Sequence, residues 1–177
     1  MKSAVLTGAD AVDRLVMGLC RVVVVVTATV LTIVMTANVV ARYVLSTGGF
    51  SFAQELPTLL FPWFIAAGVV LAALSGTHMA VEWIYGKLSS RGSQVLFVVM
   101  SVMVAICFVV LFWQALSVAA IASAERSPIL RLPNSIGYYS VATMSLLVMV
   151  VTLTQALRVG LNGWEARQTA NTEDLPV

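Results

Sequence analysis

The sequence predicts an all-α integral membrane protein with four transmembrane helices and a short interfacial helix in a cytoplasmic loop. Of the 177 residues, 60% are hydrophobic and only 10% are charged, and the mean hydropathy is +0.97. Soluble domains average about 45–50% apolar and about 25% charged residues, so a water-soluble globule is excluded. The apolar residues also form four long runs that do not alternate with polar residues, which excludes a membrane β-barrel.

The runs without Asp, Glu, Lys, Arg or His contain 20, 22, 33 and 26 residues, and they lie between Arg21 and Arg42, Glu55 and His78, Arg91 and Glu125, and Arg131 and Arg158. About 20 helical residues cross about 30 Å of hydrocarbon. We therefore predict one membrane domain over residues 1–177, with spans at about 15–41, 55–77, 94–124 and 133–158. The first span is predicted to be retained, because its apolar core exceeds the 7–15 residues of a signal peptide and Asp10 and Asp13 precede it.

The second span begins at a turn that is followed by two prolines. Ser51 and Gln54 have the spacing of a capping box, which predicts that they cap the start of this helix. Pro62 lies deeper and is expected to kink the helix, because proline lacks an N–H and its ring clashes with the preceding turn.

Two spans carry small residues at every fourth position, in the sets Gly68, Ala72, Gly76 and Ala115, Ala119, Ser123. Such stripes let another helix approach closely in lipid. The pattern leaves open whether each stripe packs within the four helices or against a second protein.

The segment after the second span predicts an interfacial helix at about 79–88, because Met79, Trp83 and Ile84 share a face apart from His78 and Glu82. His78 and Glu82 are spaced to share a metal ion, but a surface ion pair or hydrogen bond is the favoured interpretation, since no further ligand is near. The polar residues 168–177 predict a mobile C-terminal tail.

Lys and Arg are unevenly distributed among the flanks of the spans. The N-terminal arm, the second loop and the tail hold seven of these residues, and the first and third loops hold three. This asymmetry predicts that both termini are cytoplasmic. No basic stripe with aromatic residues indicates nucleic-acid binding.

Several activities are disfavoured by residues that are missing. Haem ligation by two histidines is excluded by the single His78, and the runs contain no cluster of His and carboxylates for a metal site. A coupled carrier normally buries an ionisable residue in its path, and the runs offer none. Cys20 and Cys107 do not form a redox motif. We therefore expect no catalytic residue, metal site or cofactor, and a scaffold rather than an enzyme.

Several segments together resemble the small membrane subunit of tripartite ATP-independent periplasmic (TRAP) transporters, the DctQ type. The resemblance covers nearly the whole chain and rests on Arg42-Tyr43, Phe52, Gln54-Glu55-Leu56, Trp63, Gly68, the segment His78-Met79-Ala80-Val81-Glu82, and the later Pro128-Ile129-Leu130, Leu132-Pro133 and Tyr138-Tyr139. The sequence departs from this family at Glu82, where Asp is more usual, and at Pro57 directly after the Glu-Leu pair.

The resemblance implies a scaffold subunit of a sodium-coupled transporter in the bacterial inner membrane. Its partners would be a large membrane subunit that carries an organic acid inward, a periplasmic substrate-binding protein, and the surrounding membrane lipids. Arg42, Glu55, Arg126 and Arg131 would hold the periplasmic edge or meet the binding protein. The cytoplasmic interfacial helix would be fixed by His78, Glu82, Trp83 and Lys87.

Two other functions stay open at this point. One is a small self-associating carrier or channel whose path is lined by Thr and Asn side chains of the first helix. The other is a membrane anchor for an unrelated complex. A carrier would be active alone, whereas a scaffold would need its large partner.

Overall fold

The computed structural model describes residues 2–44, 48–75, 85 and 87–164, with side chains from residue 6 onward. Four long helices account for most of this part: α1 (Lys2–Val44), α2 (Leu56–Leu74), α3 (Ser90–Ala122) and α4 (Ser135–Asn162). Each contains a stretch long and apolar enough to cross a membrane. The predicted all-α membrane fold with four spanning helices is therefore confirmed.

The start of α2 differs from the predicted capping box. Ser51–Gln54 form a short 3-10 helix, which we call η1, and neither its start nor that of α2 has a side-chain cap. Pro57 lies in the first turn of α2, where the missing N–H costs nothing, and α2 continues through Pro62. The capping-box interpretation was wrong because η1 supplies its own backbone bonds, such as Glu55 N–H to Phe52 O at 3.1 Å.

The helices pack in a defined order. Helix α4 packs most extensively against α3, α2 packs against both α1 and α4, and α1 meets α4 at fewer points. A core of Val16, Cys20, Val70, Leu74 and Val151 joins α1, α2 and α4. Helices α1 and α3 therefore lie at the margins, and their exposed faces are the most apolar parts of the surface.

The bundle has two ends, which we name by the residues that organise them. At the Glu55 end, α1 finishes, α2 begins, and the loop 123–134 joins α3 to α4. At the Arg158 end, α2 finishes, α3 begins and α4 finishes. Ser89 caps α3 there by accepting a hydrogen bond from Gly92 N–H. Most of the interhelical polar contacts occur at these two ends.

Candidate functional site

At the Glu55 end, the carboxylate of Glu55 binds the loop between α3 and α4. Its oxygens accept hydrogen bonds from Ile129 N–H at 3.0 Å, from Leu130 N–H at 2.9 Å and from the Ser127 hydroxyl. These are charge-assisted bonds, which are stronger than bonds between neutral groups. Glu55 thus joins the start of α2 to residues more than 70 positions away in the chain.

The loop holds its amides in place for this carboxylate with bonds of its own. Ser127 N–H donates to Leu132 O at 2.9 Å, and Arg131 N–H donates to Ser127 O at 3.0 Å. Arg131 has a positive φ of 53°, which closes the turn. The resulting concave backbone points successive N–H groups at one anion, as in other anion-binding nests.

Three arginines lie around this end of the bundle. Arg126 and Arg131 are exposed on the loop, where the Arg126 guanidinium donates to Arg131 O at 3.2 Å. Arg42 is exposed in the last turn of α1. Within the described residues none of the three forms an ion pair, so their charges face the surroundings.

The turn between α1 and α2 is closed by an amide side chain. Asn38 is buried and accepts a hydrogen bond from Phe50 N–H at 2.7 Å. A β-carbon at Gly49 would overlap the Asn38 side-chain oxygen and lie 3.0 Å from its backbone oxygen, so this position requires glycine. Asn38, which was one of the polar residues available to line a path, is therefore used to fix the turn.

The Arg158 end contains a buried ionic network that the sequence analysis missed. One Nη of Arg158 lies 2.6 Å from an oxygen of Asp10 and 2.9 Å from an oxygen of Asp13. The other oxygen of Asp13 accepts a bond from the Thr154 hydroxyl at 2.8 Å. Asp13 is 5% exposed and Arg158 is 8% exposed, so this pair is shielded from solvent, whereas the Asp10 side chain is 51% exposed. It ties the N-terminal third of α1 to the end of α4.

Two glutamines cap helix ends next to this network. The Gln155 amide donates to Ala73 O at 2.9 Å and to Leu74 O at 3.2 Å, at the end of α2. The Gln94 amide donates to Val159 O at 3.0 Å and to Gly160 O at 3.1 Å, near the end of α4. The last carbonyls of a helix have no partner within it, so these bonds join α2 and α3 to α4.

The two small-residue stripes have different environments. On α3, Ala115 and Ala119 are buried, so most of that stripe is used within the bundle. On α2, Gly68 is exposed, and a β-carbon built on it would meet no atom within 4 Å. Ala72 and Trp63 are half-buried. The space over Gly68 is thus free of atoms from the described part of this chain.

Four of the predicted site residues, Gly76, His78, Glu82 and Trp83, lie outside the described residues, as do most of the predicted interfacial helix and the C-terminal tail. Among the described residues, no three His, Cys, Asp or Glu side chains form a group able to hold a metal ion. Cys20 is buried and Cys107 is exposed, and both are free thiols.

The described chain is a bundle of four helices long and apolar enough to cross a membrane, with polar bonding at its two ends. The model of the family described as "Tripartite ATP-independent periplasmic transporters, DctQ component" matches residues 31–160. The chain therefore belongs to this family, as its sequence motifs predicted, and it is a multi-pass protein of the bacterial inner membrane. The family is one of transporter components and not of enzymes.

A curated relative is known from Sinorhizobium fredii (strain NBRC 101917 / NGR234), where it is called the uncharacterized protein y4mM. It is 53% identical over 160 residues, which cover 90% of this chain and 29% of the relative. The chain thus spans less than a third of that relative's length. No solved structure gives a significant match.

Proposed function

We propose that this TRAP-transporter component is the scaffold subunit of a sodium-coupled importer of an organic acid. In this proposal it pairs with a large membrane subunit and works with a periplasmic substrate-binding protein. The observation that carries the proposal is the open face of α2, where Gly68 lies on the surface with no side chain of the described chain above it.

The face around Gly68 has the composition of a helix-docking surface. Thr58, Phe61, Ile65 and Gly68 are exposed on α2 and recur at helical spacing on one side. Without Cβ at Gly68, a neighbouring helix can approach the backbone, while Ile65 and Phe61 provide projecting side chains about one and two turns before it. We infer that a helix of the large subunit packs here.

Helix α3 offers a different kind of surface. Its exposed side chains are bulky, including Val99, Met103, Ile106, Val110 and Trp113, and its small residues Ala115 and Ala119 face inward. This bulky surface over residues 99–113 suits contact with lipid chains better than close helix packing. This contrast favours α2 over α3 as the partner face.

The described ionisable residues support a bracing role rather than transport by this chain alone. The buried charges, Asp13 and Arg158, are bound to each other at one end of the bundle. In a coupled carrier such residues line the pathway and change partners.

The hydroxyl of Thr27 in the first helix donates to the backbone of the same helix, at Val23 O, at 2.6 Å. A groove of about 670 Å³ beside α1 and Phe50 is lined by Thr32 and Thr36 together with apolar residues, and it contains no charged group.

The length of the relative also supports a larger partner. If 160 residues are 29% of y4mM, that protein has about 550 residues, of which about 390 lie outside the match, enough for roughly a dozen further spans of about 20 residues. A domain of this kind joined to a much longer chain is consistent with an obligate large companion.

The proposal places the Glu55 end in the periplasm, from the distribution of Lys and Arg. Arg42, Arg126 and Arg131 would then face the binding protein, and Glu55 would keep the loop that presents two of these arginines in shape. His78, Glu82 and Trp83 would lie on the cytoplasmic side.

The test is reconstitution of the chain in liposomes, with and without a co-expressed large subunit and binding protein, followed by sodium-dependent uptake of a panel of organic acids. The proposal expects uptake only when all three components are present. Uptake by this chain alone would instead establish the self-associating carrier, and co-purification of a soluble enzyme without transport would establish the anchor.

A paired substitution tests the docking face. Gly68→Leu fills the gap on α2 and is expected to reduce co-purification of the large subunit at least tenfold, while Ala120→Leu on the exposed side of α3 leaves it unchanged. Equal effects of the two substitutions would refute the assignment of the partner to α2. Circular dichroism of each variant alone verifies that the helices form.

A further inference from the structure

Helix α1 is much longer than a membrane crossing. Its 43 residues extend about 64 Å, whereas the hydrocarbon layer is about 30 Å thick. The uncharged run between Arg21 and Arg42 is by itself long enough for that thickness, and a membrane boundary near Arg21 would put the residues before it level with the lipid headgroups and beyond them. The ionic network of Asp10, Asp13 and Arg158 holds this part of α1 against α4.

One exposed face of this part of α1 carries, in order, an arginine, a glycine, a second arginine and an apolar side chain. Arg14, Gly18, Arg21 and Val25 are all exposed and recur at i, i+4, i+7 and i+11, which places them on one side of the helix. We name these four residues the arginine face. The two arginine positions are about 10 Å apart along the axis.

The space between the arginines is open, and their charges are available. A β-carbon at Gly18 would meet no atom within 4 Å. The carboxylates of Asp10 and Asp13 are bound by Arg158, and neither Arg14 nor Arg21 has a carboxylate partner in the described part of the chain. Within the described residues, Arg14 donates to the backbone, from Nε to Asp10 O at 3.2 Å.

We propose that the arginine face binds the headgroup of an anionic phospholipid. The phosphate lies over Gly18 between the two guanidinium groups, and the acyl chains follow the exposed Val22 and Val25 into the hydrocarbon. The positive charge of the two arginines and their position along α1 fit this occupant. A lipid phosphate is the negative group found at the level where the apolar part of α1 ends and its arginines begin. The site requires neither the large subunit nor the substrate.

The experiment is native mass spectrometry of the purified full chain, titrated with dioleoyl phosphatidylglycerol or with dioleoyl phosphatidylcholine. Because the two lipids have the same acyl chains, we expect phosphatidylglycerol to bind more tightly than phosphatidylcholine. Arg14→Gln and Arg21→Gln should each weaken phosphatidylglycerol binding about fivefold, as expected for the loss of one basic residue near a membrane surface. Arg91→Gln, which removes an exposed arginine at the start of α3, is the matched control and should have no effect.

Gly18→Leu tests the geometry without changing any charge. Filling the gap should weaken phosphatidylglycerol binding while leaving phosphatidylcholine binding unchanged. Far-UV circular dichroism and thermal unfolding of each variant verify the fold, and Arg21→Gln provides the test on its own if Gly18→Leu fails to fold.

Three outcomes would overturn the proposal. The first is equal affinity for the two lipids, and the second is an equal loss in Arg91→Gln and Arg21→Gln, which would indicate diffuse attraction. The third is displacement of the lipid by excess inorganic phosphate, which would make a soluble anion the occupant.

Discussion

The buried network at the Arg158 end gives a prediction about the free energy of unfolding. Removing one member of a buried ion pair costs about 3–5 kcal/mol, because it leaves the other charge shielded from water without compensation. Arg158→Gln deprives both aspartates of their cation, so we expect a loss of about 3–5 kcal/mol. Asp13→Asn leaves Arg158 bound to Asp10, so its cost should be smaller, at about 2 kcal/mol.

The geometry also ranks the weaker contributors. The Asp10 side chain is 51% exposed, so its pairing with Arg158 is screened by water, and Asp10→Asn should cost no more than about 1 kcal/mol. Thr154→Val removes the hydrogen bond to Asp13 while keeping the shape of the side chain, so it should lower the free energy of unfolding by about 1 kcal/mol. The predicted order of cost is therefore Arg158, then Asp13, then Asp10 and Thr154.

The assay is reversible unfolding of the purified chain in mixed micelles by increasing sodium dodecyl sulfate, followed by tryptophan fluorescence. A double-mutant cycle isolates the coupling between Arg158 and Asp13, which should exceed that between Arg158 and Asp10. Arg91→Gln, exposed at the same end, should change stability by less than about 0.5 kcal/mol. A coupling near zero for Arg158 and Asp13 would refute the reasoning, because it would mean that the network adds nothing beyond separate side chains.

Three further predictions concern the other polar contacts. Glu55→Gln should loosen the loop 123–134, because the new amide group brings its own N–H groups toward the backbone N–H donors of Ile129 and Leu130. Amide hydrogen exchange in the loop should then become faster, while α3 and α4 stay protected. Gly49→Ala should cost about 1–3 kcal/mol in the same unfolding assay, since the new methyl group collides with Asn38, whereas Gly8→Ala in α1, where a β-carbon would meet no atom within 4 Å, should not destabilise the fold. Gln94→Ala should cost about 1 kcal/mol by exposing carbonyls of α4, and Gln114→Ala, on an exposed surface of α3, should have no measurable effect.

The number and type of the helices were predictable because the membrane imposes them. Backbone groups in lipid must bond within their own segment, so each long uncharged run becomes a helix whatever its neighbours are. The Val-rich run 22–26 is helical in the structure despite its preference for strands in water, for this reason. Only local properties of the sequence enter this prediction.

The contacts between helices were less predictable because they join distant residues. Arg158 and Asp13 are separated by 145 positions, and nothing local to either residue identifies the other. The sequence contained a signal for the burial of Asp13 but none for that of Arg158. Asp13 follows Ala9 and precedes Val16 and Cys20 on one helical stripe, and a carboxylate within an otherwise apolar stripe indicates burial beside a cation.

Glu55 shows a different reason for a limited prediction. Its position before α2 indicated a boundary residue, but its partners are the backbone amides of Ile129 and Leu130 and the Ser127 hydroxyl. Backbone amides are present in every sequence, so only the folded loop shows which of them converge on the carboxylate. The open space over Gly68 concerns one residue of the predicted stripe Gly68, Ala72 and Gly76, and the stripe alone did not say which side faced outward.

The distribution of bonds between the helices supports the proposed scaffold role. Asn38 and Asp13 fix α1 near its two ends, one to the turn before α2 and the other to α4. Gln155 and Gln94 fix α2 and α3 to α4 as well. Because each helix is held at its ends, the middle of the bundle needs only apolar contacts to keep its spacing, and the outer faces are left free. In the proposed scaffold role, bonds at both ends of the bundle would oppose tilting of one helix against another, which is what bracing a moving partner requires.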